Sequence, residues 1–186
     1  MESELAENQT DITGEELLAM GDIGPCELVN GKIVKKWYAS VRHGAIESNI
    51  DYELGMFVRL HKLGRVSEGE VGIYTRRDPD TVRGADIAFI SNERLSKRGK
   101  SGFVDVAPDL VVEILSPDDR WNEVMQKLEE YLGIGARVVW IVDPETESVF
   151  AYRSMTDVRR FEKSDALTAD EVLPGFSASV AELFEE

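Results

Sequence analysis

The chain has 186 residues, 42% hydrophobic and 31% charged, a composition that fits one globular domain with a sizeable core. Its net charge of -15 excludes a protein that coats nucleic acid by bulk electrostatics, although a local cationic groove can act despite distant acids, since screening runs over about 8 Å. One cysteine, Cys26, excludes an internal disulfide and fits a cytoplasmic location, and no apolar run approaches the roughly 20 residues that cross a bilayer.

In chain order, residues 1–12 are an acidic, polar segment, expected to be flexible and unlike a secretory signal, ahead of one domain over 13–186. Thr13 and Glu16 have capping-box spacing, which predicts a short helix from Glu15 to Met20, stopped by Gly21. Asn30-Gly31 between strand-like runs at 26–29 and 32–37 predicts a hairpin, with Cys26 as a small core residue. Ile46, Ile50, Leu54, Phe57, Val58 and His61 recur at helical spacing, so one long helix is expected over 42–62, ended by Gly64. Strands are expected at 65–76 and 85–91, joined by a turn at Asp78-Pro79-Asp80. A basic loop over 92–103 contains one helical turn at 92–96. Strand 109–115 stops at Ser116-Pro117. A second helix over 118–132 then carries the stripe Trp121, Val124, Met125, Leu128, Tyr131 and Leu132, closed by Gly133 and Gly135. Residues 137–142 read as a central strand, 148–153 and 158–163 as further strands, and 178–184 as a last short helix. The pattern is α/β: a mixed central β-sheet flanked by α-helices in a single domain.

One residue breaks the apolar rule. Glu113 sits inside Leu110-Val111-Val112-Glu113-Ile114-Leu115, and strand alternation sets Val111 and Leu115 beside it on its own face. An ionised carboxylate there is costly unless a cation or hydrogen bonds compensate it, which points to a bound metal ion or, as a structural alternative, to an ion pair with an arginine. Asp86 opens the run Ile87-Ala88-Phe89-Ile90, and Lys127 lies at the border of the second helix's apolar stripe. Two hard-oxygen donors and one ammonium suit phosphodiester hydrolysis: carboxylates bind Mg²⁺, while a lysine orients or deprotonates water and offsets negative charge. Spacing alone equally allows Asp86 as a turn residue and Lys127 as a surface lysine paired with Glu123. The cationic runs Arg76-Arg77, Arg94-Lys97-Arg98-Lys100 and Arg159-Arg160 read first as solvated loops and edges, and second as a local nucleic-acid groove. Asp109 and Asp119 read as strand-edge and helix N-terminal charges, Trp121 and Trp140 as core.

Several motifs together resemble the Uma-type endonucleases, a bacterial group within the PD-(D/E)XK, restriction-endonuclease-like superfamily. They are Cys26-Glu27-Leu28-Val29-Asn30-Gly31, His43, Gly64-Arg65-Val66 with Glu70, and Asp78-Pro79-Asp80-Thr81-Val82-Arg83 leading into Asp86-Ile87-Ala88-Phe89. Then come Ala107-Pro108 through Ser116-Pro117, Lys127, Tyr131-Leu132, Val139-Trp140-Ile141-Val142-Asp143-Pro144 and Val172-Leu173-Pro174-Gly175-Phe176. The resemblance covers residues 14–184 and implies a restriction-endonuclease-like fold and cleavage of nucleic acid, DNA before RNA. It implies Asp86 and Glu113 as catalytic, metal-binding acids, with Glu70 and the Ile114 carbonyl as further ligands of Mg²⁺ or Mn²⁺. Leu115 stands where the superfamily's lysine is normally found, so Lys127 takes its place on the helix. Ala85 replaces the proline usual before the first acid. His43 is expected to contact substrate phosphate or another group of the site, or to pack locally. A homodimer would suit cutting both strands of a duplex. The alternative is a catalytically silent binding or assembly module that keeps the fold.

Overall fold

The computed structural model describes residues 11–99 and 102–185. In chain order its elements are α1 (Gly14–Ala19), β1 (Cys26–Val29), β2 (Lys32–Lys35), α2 (Val41–His61), β3 (Gly64–Arg76), β4 (Thr81–Ser91) and α3 (Asn92–Leu95). They continue with β5 (Leu110–Ile114), α4 (Trp121–Gly133), β6 (Val138–Asp143), β7 (Ser148–Ser154), β8 (Asp157–Phe161), β9 (Ala166–Thr168), β10 (Ser177–Ser179) and α5 (Val180–Leu183). The first eight strands form one mixed sheet in the order β2-β1-β4-β5-β6-β7-β8, with β3 also paired to β4. Among these paired strands of the described residues, β5 and β6 run parallel and the others antiparallel. The chain is a single mixed α/β domain with the restriction-endonuclease-like architecture.

Two apolar layers cover the sheet. On one face, Ile46, Ile50, Leu54 and Val58 of α2 pack on Ile87, Phe89, Val112 and Trp140, with α5 and the β9–β10 hairpin extending the layer. On the other, Val124, Leu128 and Tyr131 of α4 pack on Ala85, Ala88, Val111 and Val139. Spacing of i, i+4, i+8 and i+12 on α2 and of i, i+4 and i+7 on α4 produces these stripes. A third cluster of Leu17, Leu28 and Val82 seats α1 on the hairpin, with Cys26 against it as expected. The predicted Thr13–Glu16 capping box forms. Residues 1–10 of the N-terminal segment lie outside the described residues. Asp11 pairs with Lys32 at 3.0 Å, and the Ile12 N–H donates to the Gly31 carbonyl. No helix among the described residues is long and apolar enough to cross a membrane.

Several element boundaries differ from the sequence reading. Strand β4 begins at Thr81, so Asp86 lies mid-strand and is neither a strand opener nor a turn residue; Arg83 and Gly84 before it are already ladder partners of β3. Helix α2 ends at Lys62, whose left-handed φ of 55° makes the turn. Gly64 instead opens β3, where a Cβ would meet the Ile90 carbonyl oxygen at 2.1 Å. Helix α4 begins only at Trp121, so its first turn overhangs the sheet and Trp121 is 61% exposed, not core. Trp140 is fully buried as expected. His61 is exposed in the last turn of α2, its ring against Phe57. Asp109 is buried, not a solubilising edge charge: it accepts the Ser91 N–H at 2.7 Å and faces Arg94 and Arg137.

Candidate active site

The site follows from a gap in the ladder. Strand β3 occupies one edge of β4 along almost its whole length. The other edge is shared: β1 meets β4 at Leu28–Val82, and β5 meets it only from Ile87–Val112 to Phe89–Leu110. Between these contacts, residues 83–86 of β4 have no strand partner on that edge. Extending the β5 register one step would set Asp86 opposite Glu113, and extending β1 would set Arg83 opposite Glu27. Buried backbone groups in such a gap must find other partners.

Side chains supply them. The Gly84 N–H donates to Glu27 Oε1 at 3.2 Å. The Gly84 carbonyl accepts from Lys127 Nζ at 2.9 Å and from the Tyr131 hydroxyl at 3.4 Å. The Ile114 N–H donates to Asp86 Oδ2 at 2.6 Å. Opposite, Gly69 and Glu70 bulge out of the β3–β4 ladder between Glu68 and Val71, with positive φ at both. The bulge carries Glu70 to Gly84, where an added Cβ would meet the Glu70 carboxylate and push it aside. The Gly69 N–H donates to Glu47 Oε1 at 2.9 Å.

The ion pairs lock together. Lys127 Nζ lies 2.7 Å from Glu113 Oε2 and 3.1 Å from Glu27 Oε1, which with the Gly84 carbonyl uses all its N–H donors. Lys127 therefore bridges two acids and does not pair with Glu123 as a surface lysine. The Tyr131 hydroxyl donates to Glu113 Oε1 at 2.7 Å. Arg83 holds Glu27 at 3.0 Å and grips Glu130 through two contacts of 2.7 Å. On the α2 side, His43 Nε2 donates to Asp86 Oδ1 at 3.1 Å, and the N-cap Ser40 accepts the His43 backbone N–H. Asp86 is thus held from α2 while Glu113 is held from α4. All six predicted positions, His43, Glu70, Asp86, Glu113, Ile114 and Lys127, border the gap.

Burial sets the electrostatics. It raises the Glu113 pKa to about 7, with Asp86 adding to the rise and Lys127 and Tyr131 opposing it. Burial, then the charge of Asp86, also raises Glu70. Burial would pull Lys127 down, but Glu113 and Glu27 outweigh it and hold the ammonium above the ordinary lysine range. Burial would raise Glu27, yet Lys127, Lys36 and Arg83 keep it below the usual carboxylate value. The hydrogen bond to Asp86 raises His43 against its own burial.

Two hollows open on this network. One of ≈ 30 Å³, lined by Lys36, Glu113, Asp119, Glu123 and Lys127, has room for a water or two. A cleft of ≈ 410 Å³ adjoins it through Leu115 and Asp119 and is lined by Arg42, His43, Ser116 and Asp143. Among the described residues no three acid, histidine or cysteine side chains form a ready metal cage. The donor chemistry nevertheless fits a hard divalent ion: Glu113 and Glu70 are raised by burial and by a neighbouring carboxylate, a repulsion that a cation relieves. Each bonded carboxylate oxygen also keeps a second lone pair.

Sequence reasoning passed over Glu27 and the hydroxyl of Tyr131. Glu27 had a usable signal, the same one that Glu113 gave: an acid between apolar neighbours in a strand. The cationic runs are engaged elsewhere. Arg77 contacts Glu15, Asp80 and the Tyr74 ring, Arg94 holds the 107 and 108 carbonyls, Lys97 pairs with Glu93, and Arg160 with Glu162. Lys100 lies outside the described residues.

No curated protein matches the chain. A solved structure does: a "putative nuclease belonging to DUF820" from Anabaena variabilis, 26% identical, covering 93% of this chain and 97% of its own, with a TM-score of 0.77. The chain also matches, over residues 15–181, the family Uma2, described as "Putative restriction endonuclease". A match across that span, with Asp86, Glu113 and Lys127 gathered at one break in the sheet, makes this chain a member of the Uma2 family.

Proposed function

We propose that the chain is a cytoplasmic, metal-dependent endonuclease that hydrolyses nucleic-acid phosphodiester bonds, DNA first among its substrates. What carries the reading is the meeting of Asp86, Glu113 and Lys127 at the break in the β4 edge; membership of the Uma2 family and likeness to a nuclease structure support it. Asp86 and Glu113, with Glu70 and the Ile114 carbonyl, would hold Mg²⁺ or Mn²⁺. The ion supplies positive charge to the phosphate oxygens and lowers the pKa of a bound water.

The chain's own residues do the rest. Lys127, kept charged, positions the attacking water and offsets the charge that grows on the phosphate; releasing one of its present acceptors frees the donor for this. It is not the general base, because an ammonium held above its ordinary range does not give up a proton near neutrality. His43 fixes the Asp86 carboxylate through Nε2 and faces the cleft, where it meets substrate phosphate.

The test is cleavage of DNA with and without Mg²⁺. Asp86→Ala and Glu113→Ala are expected to abolish it while circular dichroism shows that the fold is kept. Activity in either variant equal to the parent would refute the assignment. A catalytically silent module is the second reading, favoured by one observation: both Glu113 oxygens are already bonded, to Lys127 and Tyr131. Titration with Mn²⁺ separates the two. A nuclease gains thermal stability by mass action, about 2.7 kcal/mol at a hundredfold excess over Kd, and a silent module gains none.

A further inference from the structure

The segment from β2 to the first turn of α2 differs from the rest of this acidic chain. From Lys32 to Ile46 it holds Lys32, Lys35, Lys36 and Arg42 and no aspartate or glutamate, although the chain as a whole has 36 acids against 21 Lys and Arg. Within it, Trp37 is 90% and Tyr38 84% exposed, and Val41 lies equally bare. Single exposed apolar residues need no explanation, but two adjacent aromatic rings standing in water beside a cluster of cations do. Their place in the fold adds to this. Lys36, next to Trp37, lines the small hollow with Glu113 and Lys127, and Ser40 and Arg42 line the adjoining cleft. A third exposed ring, Trp121, lies in sequence between Asp119 and Glu123, both of which line the same hollow.

We propose that Trp37 and Tyr38 form a base-stacking platform at the mouth of the site, so that the substrate is a single-stranded or locally unpaired nucleic acid. The inference rests on the nuclease reading for where the phosphate goes. The platform itself stands on exposed rings flanked by cations.

Every base offers a flat π face, and stacking on aromatic side chains discriminates little among sequences. In a duplex those faces are covered by neighbouring bases, and only an unpaired strand presents them to Trp37 and Tyr38. The lysines beside the rings supply phosphate contacts along the same path. A second copy of this chain is the weaker occupant. A two-fold contact sets the same patch against itself and brings two like-charged segments together, where Lys32, Lys36 and Arg42 already face Asp11, Glu27 and Glu147 of their own copy and leave those acids no new partner.

The test uses the full chain with single-stranded DNA, single-stranded RNA and duplex DNA of mixed sequence, in Ca²⁺ so that binding is read without cleavage. Expected results are quenching of tryptophan fluorescence by the single strands and weak response to the duplex. Trp37→Ala with Tyr38→Ala should lose about tenfold or more in single-strand affinity, since stacking contributes that much per base, while Trp37→Phe stays near the parent. The DNA and RNA arms show which single strand is preferred. Melting of each variant checks that the fold is kept. Equal affinity in the parent and the double variant overturns the platform, as does preferred binding of the duplex. So does a concentration-dependent dimer that the double variant dissolves. Cleavage assayed separately in Mg²⁺ keeps the two ideas apart. Stacking without cleavage would sink only the nuclease reading, and cleavage indifferent to both rings only the platform.

Discussion

Two stretches of one sheet solve the same problem in opposite ways. Where β5 lies against β6, backbone pairs with backbone from Leu110–Val138 to Ile114–Val142, and four of the five β6 partners are fully apolar valines and isoleucine, with Trp140 the fifth. At residues 83–86 of β4 one edge has no strand, and Glu27, Lys127, Tyr131 and Asp86 serve the backbone groups around the break. A complete ladder lets side chains be hydrocarbon, and Glu113, paired with Ile141 in that ladder, is the exception because it also stands beside the break. A broken ladder requires polar side chains beside the backbone, and once buried there they must also satisfy one another. The chemistry gathers at the break because the break is where charge is structurally needed.

The sharpest way to break this comparison is to damage each stretch in turn. Trp140→Ala removes a fully buried ring from the ladder side and should cost about 3–5 kcal/mol. Lys127→Met leaves Glu113 and Glu27 without their shared cation and should cost about 3–5 kcal/mol at pH 8. The two losses should part with pH. Lys127 lowers the Glu113 pKa, so without it Glu113 keeps its proton to a pH above 7; the Lys127→Met penalty therefore shrinks as pH falls from 8 toward 7, where the parent's Glu113 takes up its proton too, whereas the Trp140→Ala penalty does not. Denaturant melts at pH 8 and pH 6 measure both; parallel pH profiles would show that the break carries no special charge.

The next effect is on metal binding. Folding raises Glu113 from 4.5 to about 7, so the native chain holds more protons than the unfolded one across that window. Its contribution to stability without metal therefore falls as pH rises from 4.5 to 7 and is level above. A cation must displace that proton, so Mn²⁺ affinity by calorimetry should drop about tenfold per pH unit below 7. A pH-independent affinity would remove Glu113 from the ligand set.

Tyr131→Phe is the mildest. It deletes one hydroxyl that donates to Glu113 and leaves the ring in the α4 stripe, for a loss of about 1 kcal/mol. Because that hydrogen bond lowers the Glu113 pKa, the midpoint for metal binding should move to higher pH. An unmoved midpoint would mean that the hydroxyl serves only the fold.

Legibility in the sequence followed the range of the interactions. The Thr13–Glu16 cap, the Asn30-Gly31 hairpin and the α2 and α4 stripes depend on neighbours within a turn or two, and all could be read directly. Glu113 could be read because an acid alternating with valine and leucine is out of place whatever surrounds it. Glu27 carries the same mark but sits in a strand of four residues, where the contrast is short. The β9 and β10 strands have three residues each and pair across an intervening loop, so no periodicity announces them. Trp121 misled because a helical stripe tells which side a residue faces and not how far the sheet beneath it extends.

Local spacing sufficed for the alternation that sets Glu113 among valine and leucine, for the border position of Lys127 on its helical stripe, and for the motifs of the family. Only the tertiary structure decided that β1 and β5 share one edge of β4 without meeting there. That unpaired interval joins Glu27, Glu70, Asp86, Glu113 and Lys127 from five separate elements. Its cause is long-range strand register, which no local pattern encodes.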